Sequence, residues 1–289
     1  MAIRRAMHKY LLSLVFIFLA HESVAFDLFI QTDYKNTPNF SDYGFKKSRI
    51  IYEQEFYGHR ENRDQLPAKE MLQKIGGELD TIDPQHVVID IETWFKRWKF
   101  KDQEQKHEVF DRYIRVLDFF QQESPAHLYG LYGVVPSWLP RQRYYSDKKL
   151  NKWQEANKAR RNIASKVDFM SPSLYTYTQD SREWRKHAQL VMEMSRKAAK
   201  GKKFIPYIWP KYHQSLRNKV NLSSPYVPKS FWRIQLEFLY DNADGLIIWD
   251  SGNKKKDWNE DEAWWRETKS FLAEKNIVKS NVMNKEPKQ

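Results

Sequence analysis

The stretch VVIDIETWFKRW, residues 87–98, places two acidic residues inside an otherwise apolar and aromatic run. Its first half is rich in Val and Ile and predicts a buried strand. Successive side chains of a strand point to opposite faces, so Asp90, Glu92 and Trp94 are expected to share one face. Burying a carboxylate costs several kcal/mol unless a partner compensates it. The stretch therefore predicts either a structural ion-pair network or a functional site.

Short apolar runs like this one alternate with longer segments of helical periodicity along the chain. Strands are predicted near residues 27–31, 49–54, 86–92, 127–135, 168–174, 203–209 and 245–249. Helices are predicted near residues 67–77, 108–122, 152–166, 181–201 and 228–245. Such alternation indicates parallel strands joined by right-handed crossovers. The expected fold class is α/β, an irregular TIM-like (β/α) barrel of about seven parallel strands in a single domain.

The two ends of the chain differ from this central region, residues 26–274. Residues 1–25 combine a basic start, a short apolar core and small residues before position 26, which is the pattern of a signal peptide. We therefore expect a secreted or periplasmic protein, with no stable membrane insertion after signal cleavage. Residues 275–289 are polar and predict a disordered tail. The chain contains no Cys, which excludes disulfides, Cys nucleophiles and thiolate metal sites.

The chain is basic, with 49 Lys and Arg against 37 Asp and Glu and a formal net charge of +12 at pH 7. Such a surface favours polyanions, so a secreted protein that binds a polyanion through its charge is one hypothesis. No nucleic-acid-binding module is recognisable and the Lys residues are spread along the chain, so a nucleic-acid partner is not expected. The His residues lack metal-ligand spacing and no Gly-rich loop follows the first strand, so neither a metal nor a cofactor is expected.

Aromatic residues gather where the predicted strands end, which is the edge that carries the site in a β/α barrel. Aromatic faces stack on the C–H faces of sugar rings, while nearby polar groups bind the hydroxyls. Each aromatic residue taken alone is more often part of a hydrophobic core. Taken together with the acidic pair, they predict a carbohydrate site formed by Trp94, Tyr129, Tyr132, Tyr175, Tyr207, Trp209, Tyr212 and Trp249.

These strand ends resemble the hyaluronidase family of glycoside hydrolases, of the bee-venom and sperm type. IDIETW (89–94) looks like that family's D-x-E-x-W segment, and YGLYGVVP (129–136) is similar to its W-G-Y-Y-x-x-P strand. SPSLY (171–175), IPYIWPKY (205–212) and ADGLIIWDS (243–251) resemble three further motifs in the family's order. The resemblance extends over roughly residues 87–251 and implies the family's irregular barrel of about seven strands.

The resemblance implies a retaining, substrate-assisted reaction, in which the acetamido group of the substrate attacks the anomeric carbon. Glu92 would act as acid and base, and Asp90 would orient the acetamide. Tyr175, Tyr212 and Trp249 would line the reacting subsite. Ser251 would be a further substrate-binding residue. The implied activity is endo-cleavage of an N-acetylhexosamine-containing polysaccharide such as hyaluronan. We also expect the protein to be a monomer. A barrel that binds carbohydrate without cleaving it remains the alternative.

One position departs from the family pattern beside this expected site. Asp250 stands where the family usually has Gly, directly after Trp249. An ionised carboxylate there would repel a nearby uronate by roughly 1–4 kcal/mol at about 4 Å, depending on the effective dielectric constant. We therefore expect Asp250 to contact the substrate and to weaken the cleavage of hyaluronan relative to a less anionic polymer.

Overall fold

The computed structural model describes residues 26–58, 63–83, 85–96, 103–139, 146–220, 222–250 and 256–277. These residues form a single α/β domain with parallel sheets, in agreement with the predicted fold class. The predicted signal peptide and the predicted tail from residue 278 onward lie outside the described residues.

Every predicted strand segment contains at least one observed strand. The described strands are β1 (Asp27–Thr32), β2 (Ser48–Tyr52), β3 (His86–Asp90), β4 (Leu128–Leu131), β5 (Phe169–Met170), β6 (Lys203–Phe204), β7 (Tyr207–Ile208) and β8 (Gly245–Asp250). All of their pairings are parallel. The segment predicted as one strand near residues 203–209 is divided into β6 and β7, because Pro206 has no N–H with which to continue a ladder.

The sequence predicts one irregular barrel of about seven strands, whereas the pairing among the described residues divides the strands into three sheets. Their orders are β1-β8-β7, β2-β3-β4 and β5-β6. Single-residue bridges lie between these sheets, pairing Phe29 with Lys46, Tyr132 with Ser171, and Ser173 with Tyr207. The short strands β5, β6 and β7 come from segments that contain Pro172 and Pro206, which explains why pairing there is interrupted.

Helices follow most of the strands. The described helices are α1 (Glu53–Tyr57), α2 (Lys69–Asp80), α3 (Glu92–Lys96), α4 (Gln103–Glu123), α5 (Asp147–Lys158), α6 (Arg161–Lys166), α7 (Ser181–Ala198), α8 (Gln214–Arg217), α9 (Lys229–Asn242) and α10 (Ala263–Glu274). The sequence predicts that Gly76 and Gly77 end α2, but the helix continues through them to Asp80. Gly76 instead lies against the end of α4, where its carbonyl accepts a hydrogen bond from Ser124.

The strands are buried on both faces, which explains why their sequences are continuous apolar runs. In β3, Val87 and Ile89 pack in the main hydrophobic core under the helices, whereas Val88 packs in a second, smaller core. The second core also takes Phe29 from β1 and Ile247 from β8. The alternating side chains of the strands therefore separate an outer core from an inner one, and the inner core underlies the strand ends.

Candidate functional site

The carboxyl ends of parallel strands meet on one edge of the fold, and several of the predicted residues lie there. Tyr52 at the end of β2 pairs in register with Asp90 at the end of β3. Tyr132 follows β4, and its backbone N–H donates to the carbonyl of Ile89 at 3.0 Å. Trp249 lies near the end of β8. This is the edge at which β/α folds build their sites.

Five predicted aromatic residues contact one another at this edge and are called here the aromatic cluster. The rings of Tyr175 and Trp249 are stacked, with centroids 5.7 Å apart and an interplanar angle of 20°. The ring centroid of Trp209 lies 5.5 Å from that of Tyr175 and 5.1 Å from that of Trp249. The ring centroid of Tyr132 lies 5.2 Å from that of Tyr207 and 6.1 Å from that of Tyr175. The sequence prediction that the strand ends bring these side chains together is consistent with this geometry.

Asp90 acts electrostatically on the aromatic cluster. Burial raises the pKa of Tyr132, Tyr175 and Tyr207, and the negative charge of Asp90 raises each pKa further. Burial also raises the pKa of Tyr52, and Asp90 contributes in the same direction. The backbone geometry places Asp90 next to these residues: it pairs in register with Tyr52, and the carbonyl of the preceding residue, Ile89, accepts the backbone N–H of Tyr132 at 3.0 Å.

Glu92 differs from its predicted conformation. The strand ends at Asp90, and Glu92 is the first residue of α3. The expectation that strand alternation carries Asp90, Glu92 and Trp94 to one face is therefore wrong from Ile91 onward. Glu92 nevertheless remains half-buried at the carboxyl end of β3, two residues from Asp90.

A third carboxylate, which the sequence analysis missed, holds the start of α3. Glu53, directly after β2, is only 7% exposed. Its Oε2 accepts the backbone N–H of Thr93 at 3.0 Å, and its Oε1 accepts the Thr93 hydroxyl. Nη1 of Arg63 lies 3.4 Å from Oε1. The signal for this residue was available in the sequence, since an acid directly after the apolar run IIY (50–52) resembles the acid at the end of β3.

Three predicted substrate-binding residues lie in the main hydrophobic core rather than in the aromatic cluster. Trp94 is 1% exposed and donates its indole N–H to the carbonyl of Arg63 at 2.7 Å, because α3 turns it inward. Tyr129 is fully buried and donates its hydroxyl to the carbonyl of Ser124 at 2.8 Å. Tyr212 is 5% exposed and also packs in the main core. These side chains support the site from below, in contrast to their predicted contact with substrate.

Asp250 belongs to the lining of the cleft described below, but its carboxylate is enclosed and paired. Its side chain is 1% exposed, and Oδ1 lies 2.5 Å from Nζ of Lys211. Oδ1 also accepts the indole N–H of Trp209 at 3.1 Å, and Oδ2 accepts the hydroxyl of Tyr34 at 3.1 Å. The expectation of an uncompensated charge that repels uronates is corrected by this ion pair. The predicted residue Ser251 lies outside the described residues.

A cleft of about 310 Å³ opens beside the aromatic cluster, along β2 and at the ends of β1 and β8. Its lining includes Gln31, Asp33, Arg49, Tyr52 and Trp249. Trp249 donates its indole N–H to the Tyr52 hydroxyl at 3.0 Å, and Tyr207 donates its hydroxyl to Oε1 of Gln31 at 3.0 Å. These bonds connect the cleft to the cluster. The resemblance begins only at residue 87, so the contributions of β1 and β2 were missed.

The described residues hold no group of three His, Cys, Asp or Glu side chains that could bind a metal ion. Within the same ranges, no helix has the length and apolar character needed to cross a membrane. The arrangement that remains is an acid pair at the end of β3, an aromatic cluster and a polar cleft. In the aromatic cluster, Tyr175, Tyr207 and Trp209 are buried, whereas Tyr132 and Trp249 are half-buried and can stack on sugar rings. The polar groups can hydrogen-bond the hydroxyls and exchange protons with a bound glycan.

Comparison with known proteins identifies the fold. No protein-family model and no curated protein sequence matches the chain. Bee venom hyaluronidase superposes with a TM-score of 0.53 at 16% sequence identity, covering 89% of this chain and 99% of that one. Its complex with a hyaluronic acid tetramer superposes with a TM-score of 0.51 at 16% identity, covering 90% and 99%. A GH5_18 protein from Bifidobacterium longum gives a TM-score of 0.46 at 12% identity, covering 87% and 79%. The chain thus shares the fold of the bee venom protein.

Proposed function

We propose that the chain is a glycoside hydrolase that cleaves an N-acetylhexosamine-containing polysaccharide of the hyaluronan type within the polymer. The observation that carries this proposal is the arrangement at the end of β3, where Asp90 pairs in register with Tyr52, Ile89 bonds to the backbone of Tyr132, and Glu92 follows Asp90 by two residues. Acids beside stacked aromatic rings suit a sugar whose glycosidic oxygen must be protonated. The fold shared with bee venom hyaluronidase supports this proposal.

In the proposed mechanism, Glu92 donates a proton to the glycosidic oxygen as the bond to the anomeric carbon breaks. The acetamido oxygen of the substrate attacks that carbon, and Asp90 accepts a hydrogen bond from the acetamide N–H and orients the group. Water then opens the cyclic intermediate, with Glu92 taking the proton of the water. Two displacements on the same carbon give net retention of configuration.

The neighbouring carboxylates favour a nucleophile that comes from the substrate. A retaining glycosidase of the ordinary type needs a second carboxylate as nucleophile, about 5–5.5 Å from the acid. Glu53 is engaged by Thr93 and Arg63, and Asp250 is engaged by Lys211, Trp209 and Tyr34. Asp90 precedes Glu92 by two residues and has the separate role of orienting the acetamide in the proposed mechanism. A substrate acetamide supplies the attacking oxygen that these positions do not.

The cleft suits a neutral or an anionic sugar. Asp33 and Arg49 give its lining both signs of charge, and Gln31, Ser48 and Tyr52 add hydrogen-bonding groups. Since Asp250 is paired with Lys211, it gives no reason to place hyaluronan below neutral N-acetylated polymers. The tetramer bound to the bee venom protein makes hyaluronan the first polymer to test.

We test this function by incubating the protein without residues 1–25 with hyaluronan, chondroitin, chitin oligomers and peptidoglycan, and by measuring product masses. Glu92→Gln should lower turnover by about 10²–10⁴-fold, the usual loss when a general acid is removed. Glu193→Gln, on an exposed position of α7, is the matched control. An active Glu92→Gln protein, or a control that loses as much activity, contradicts the assignment.

Two other functions give different results in the same panel. A carbohydrate-binding barrel would bind a polymer without cleaving it. A protein that binds polyanions through its charge would bind only the anionic polymers, and its affinity would fall steeply with salt. We further propose that the strand ends belong to one irregular barrel of about seven strands, that the enzyme acts as a monomer, and that residues 1–25 direct it to a secreted or periplasmic location.

A further inference from the structure

Trp138 is a large aromatic side chain that the described part of the protein leaves in solvent. It is 54% exposed, compared with 45% for Leu128 and 38% for Ile82, the other large hydrophobic side chains exposed in that part. A single exposed hydrophobic residue is common on protein surfaces and has no meaning by itself. Two features distinguish Trp138. Its neighbours in the chain are anchored, and its loop starts at the candidate site.

The residues on both sides of Trp138 are fixed. The backbone N–H of Ser137 donates to Oδ1 of Asn157 at 2.7 Å, and its carbonyl accepts the indole N–H of Trp153 at 2.7 Å. Leu139 is 2% exposed and packs in a small core with Trp153 and Met194. The chain is therefore anchored immediately before and after Trp138. An aromatic ring on an anchored loop loses little conformational entropy when a ligand covers it.

The loop that carries Trp138 starts at the candidate site. It leaves β4 at Tyr132, a member of the aromatic cluster, and turns at Gly133, whose φ is 65°. A Cβ atom at Gly133 would lie 3.7 Å from the ring of Phe95 in α3, the helix that begins with Glu92. Trp138 follows Tyr132 by six residues, so their Cα atoms are at most about 22 Å apart.

In the order of the strands, the acid pair lies between the cleft and the loop that carries Trp138. The cleft is lined by β2 and by the ends of β1 and β8, whereas this loop leaves β4. The sheet order β2-β3-β4 places the end of β3, with Asp90, between them. A polymer that crosses this edge with its scissile bond at Glu92 extends on one side into the cleft and on the other toward Trp138.

We propose that Trp138 is an outer binding subsite that stacks on a sugar ring of the polysaccharide, several units away from the bond that is cleaved. This inference rests on the proposed function and adds to it a residue that selects long substrates. The indole offers its face to the C–H groups of a sugar ring, a contact that needs no charge on the sugar. A short oligosaccharide held in the cleft does not reach it.

The test measures binding to the full protein without residues 1–25, in a Glu92→Gln background so that the ligand survives. The probes are high-mass hyaluronan and its tetrasaccharide, together with the hexamer and the dimer of N-acetylglucosamine. Trp138→Ala should weaken binding of the long ligand about tenfold and leave the short one unchanged, as expected for the loss of one aromatic contact. Trp138→Phe should recover part of the affinity. Leu128→Ala, exposed at the opposite end of β4, is the control and should change neither.

The outcomes separate this proposal from the proposed function. If the parent protein binds long ligands and Trp138→Ala binds them equally well, the outer subsite is wrong while the function stands. Equal weakening for long and short ligands means that Trp138 acts on the fold of the site. A change in oligomeric state on ultracentrifugation assigns Trp138 to a contact between copies of the chain. Failure of the parent protein to bind any of these glycans overturns both proposals.

Discussion

Oε2 of Glu53 lies 3.0 Å from the backbone nitrogen of Thr93, which links the residue after β2 to the residue next to Glu92. The first N–H groups of a helix have no partner within the helix, so Glu53 supplies an acceptor from outside. Arg63 contacts the same carboxylate at 3.4 Å, and its carbonyl accepts the indole N–H of Trp94 at 2.7 Å. Glu53 thus fixes the first turn of α3, on which the proposed acid Glu92 stands.

We predict that Glu53→Gln lowers kcat by roughly 10- to 100-fold with little effect on KM, because misplacing a catalytic group by about 1 Å has consequences of this size. The amide can still accept the Thr93 N–H, so the fold should remain.

The control for this prediction is Glu55→Gln in the same short helix. Glu55 pairs with Arg49 and accepts the backbone N–H of Tyr52, but makes no hydrogen bond to α3 among the contacts described for Glu55. Measurement of kcat and KM for both variants, with urea unfolding as a check on folding, decides the matter. If Glu53→Gln loses stability while its kcat stays at the value of the parent, Glu53 is a structural helix cap and does not position Glu92.

A second prediction concerns the buried pair of Asp250 and Lys211. Asp250→Asn leaves the Lys211 ammonium, whose side chain is 14% exposed, without its counter-charge. Breaking a buried pair in this way typically costs about 3–5 kcal/mol of folding free energy. The Tyr34 hydroxyl lies 3.2 Å from Nζ of Lys211, so the ammonium keeps one hydrogen-bond partner in the variant. A loss at the lower end of that range is therefore expected. Urea unfolding monitored by tryptophan fluorescence measures the loss.

The matched control for Asp250 is the double variant Asp250→Asn, Lys211→Met, which removes both charges and should recover most of the lost stability. Activity on hyaluronan and on a neutral N-acetylated oligomer should fall together in Asp250→Asn, because Asp250 orients Trp209 rather than facing the substrate. If Asp250→Asn instead cleaves hyaluronan faster relative to the neutral oligomer than the parent does, the carboxylate acts on the substrate and the ion pair does not cancel its charge.

The sequence predicts the strands well because each is a continuous apolar run, and it predicts the aromatic cluster because strand ends converge in this fold class. It fails where the backbone changes direction within a motif. The run from Val87 predicts Glu92 and Trp94 on a strand, but the chain turns into α3 and buries Trp94. The residue type alone also does not predict how deeply an aromatic side chain is buried, since Tyr129 is fully buried and Tyr132, three residues later, is half-buried.

Contacts between distant segments are the other part that a sequence does not reveal. Asp250 meets Lys211 from the segment after β7 and Tyr34 from the segment after β1, far away along the chain. Without these partners, a carboxylate beside Trp249 is reasonably expected to face the substrate. Glu53 and Thr93 come together only because β2 and β3 are neighbours. Partner choice of this kind depends on the assembled fold.

A third prediction concerns acid sensitivity at the opposite end of the strands. His86, at the start of β3, lies between the rings of Phe29 and Phe169, at 4.7 and 4.9 Å. Burial lowers the pKa of His86; the charges of Lys203 and Lys46 act in the same direction, whereas Asp27 and Asp168 oppose it. The unfolded chain therefore binds the proton more readily, so stability should fall as the pH drops through about 6.5 toward the lowered value.

His86→Phe keeps an aromatic ring between Phe29 and Phe169 and removes the titration. Its stability should depend less on pH between about 7 and 5 than that of the parent, by at most about 1.4 kcal/mol per pH unit. His107→Gln, at an exposed position of α4, should leave the slope unchanged. Chemical unfolding at a series of pH values provides the comparison. Identical slopes for the parent and His86→Phe would show that other groups, and not His86, bind the proton.

The last prediction is the stereochemistry of the products, which tests the proposed role of Asp90 directly. If the substrate acetamide is the nucleophile, two displacements occur at the anomeric carbon, so the first products carry a β-configured N-acetylhexosamine at the reducing end. Proton NMR of early time points observes this anomer before it equilibrates. Asp90→Asn should slow the reaction strongly on N-acetylated substrates, because an amide orients the acetamide N–H less well than a carboxylate does. Prompt appearance of the α-anomer would mean a single displacement by water and a general base in place of an orienting Asp90. An unsaturated uronate, seen by its ultraviolet absorbance, would instead show elimination, and Glu92 would then not be acting as the acid of a hydrolase.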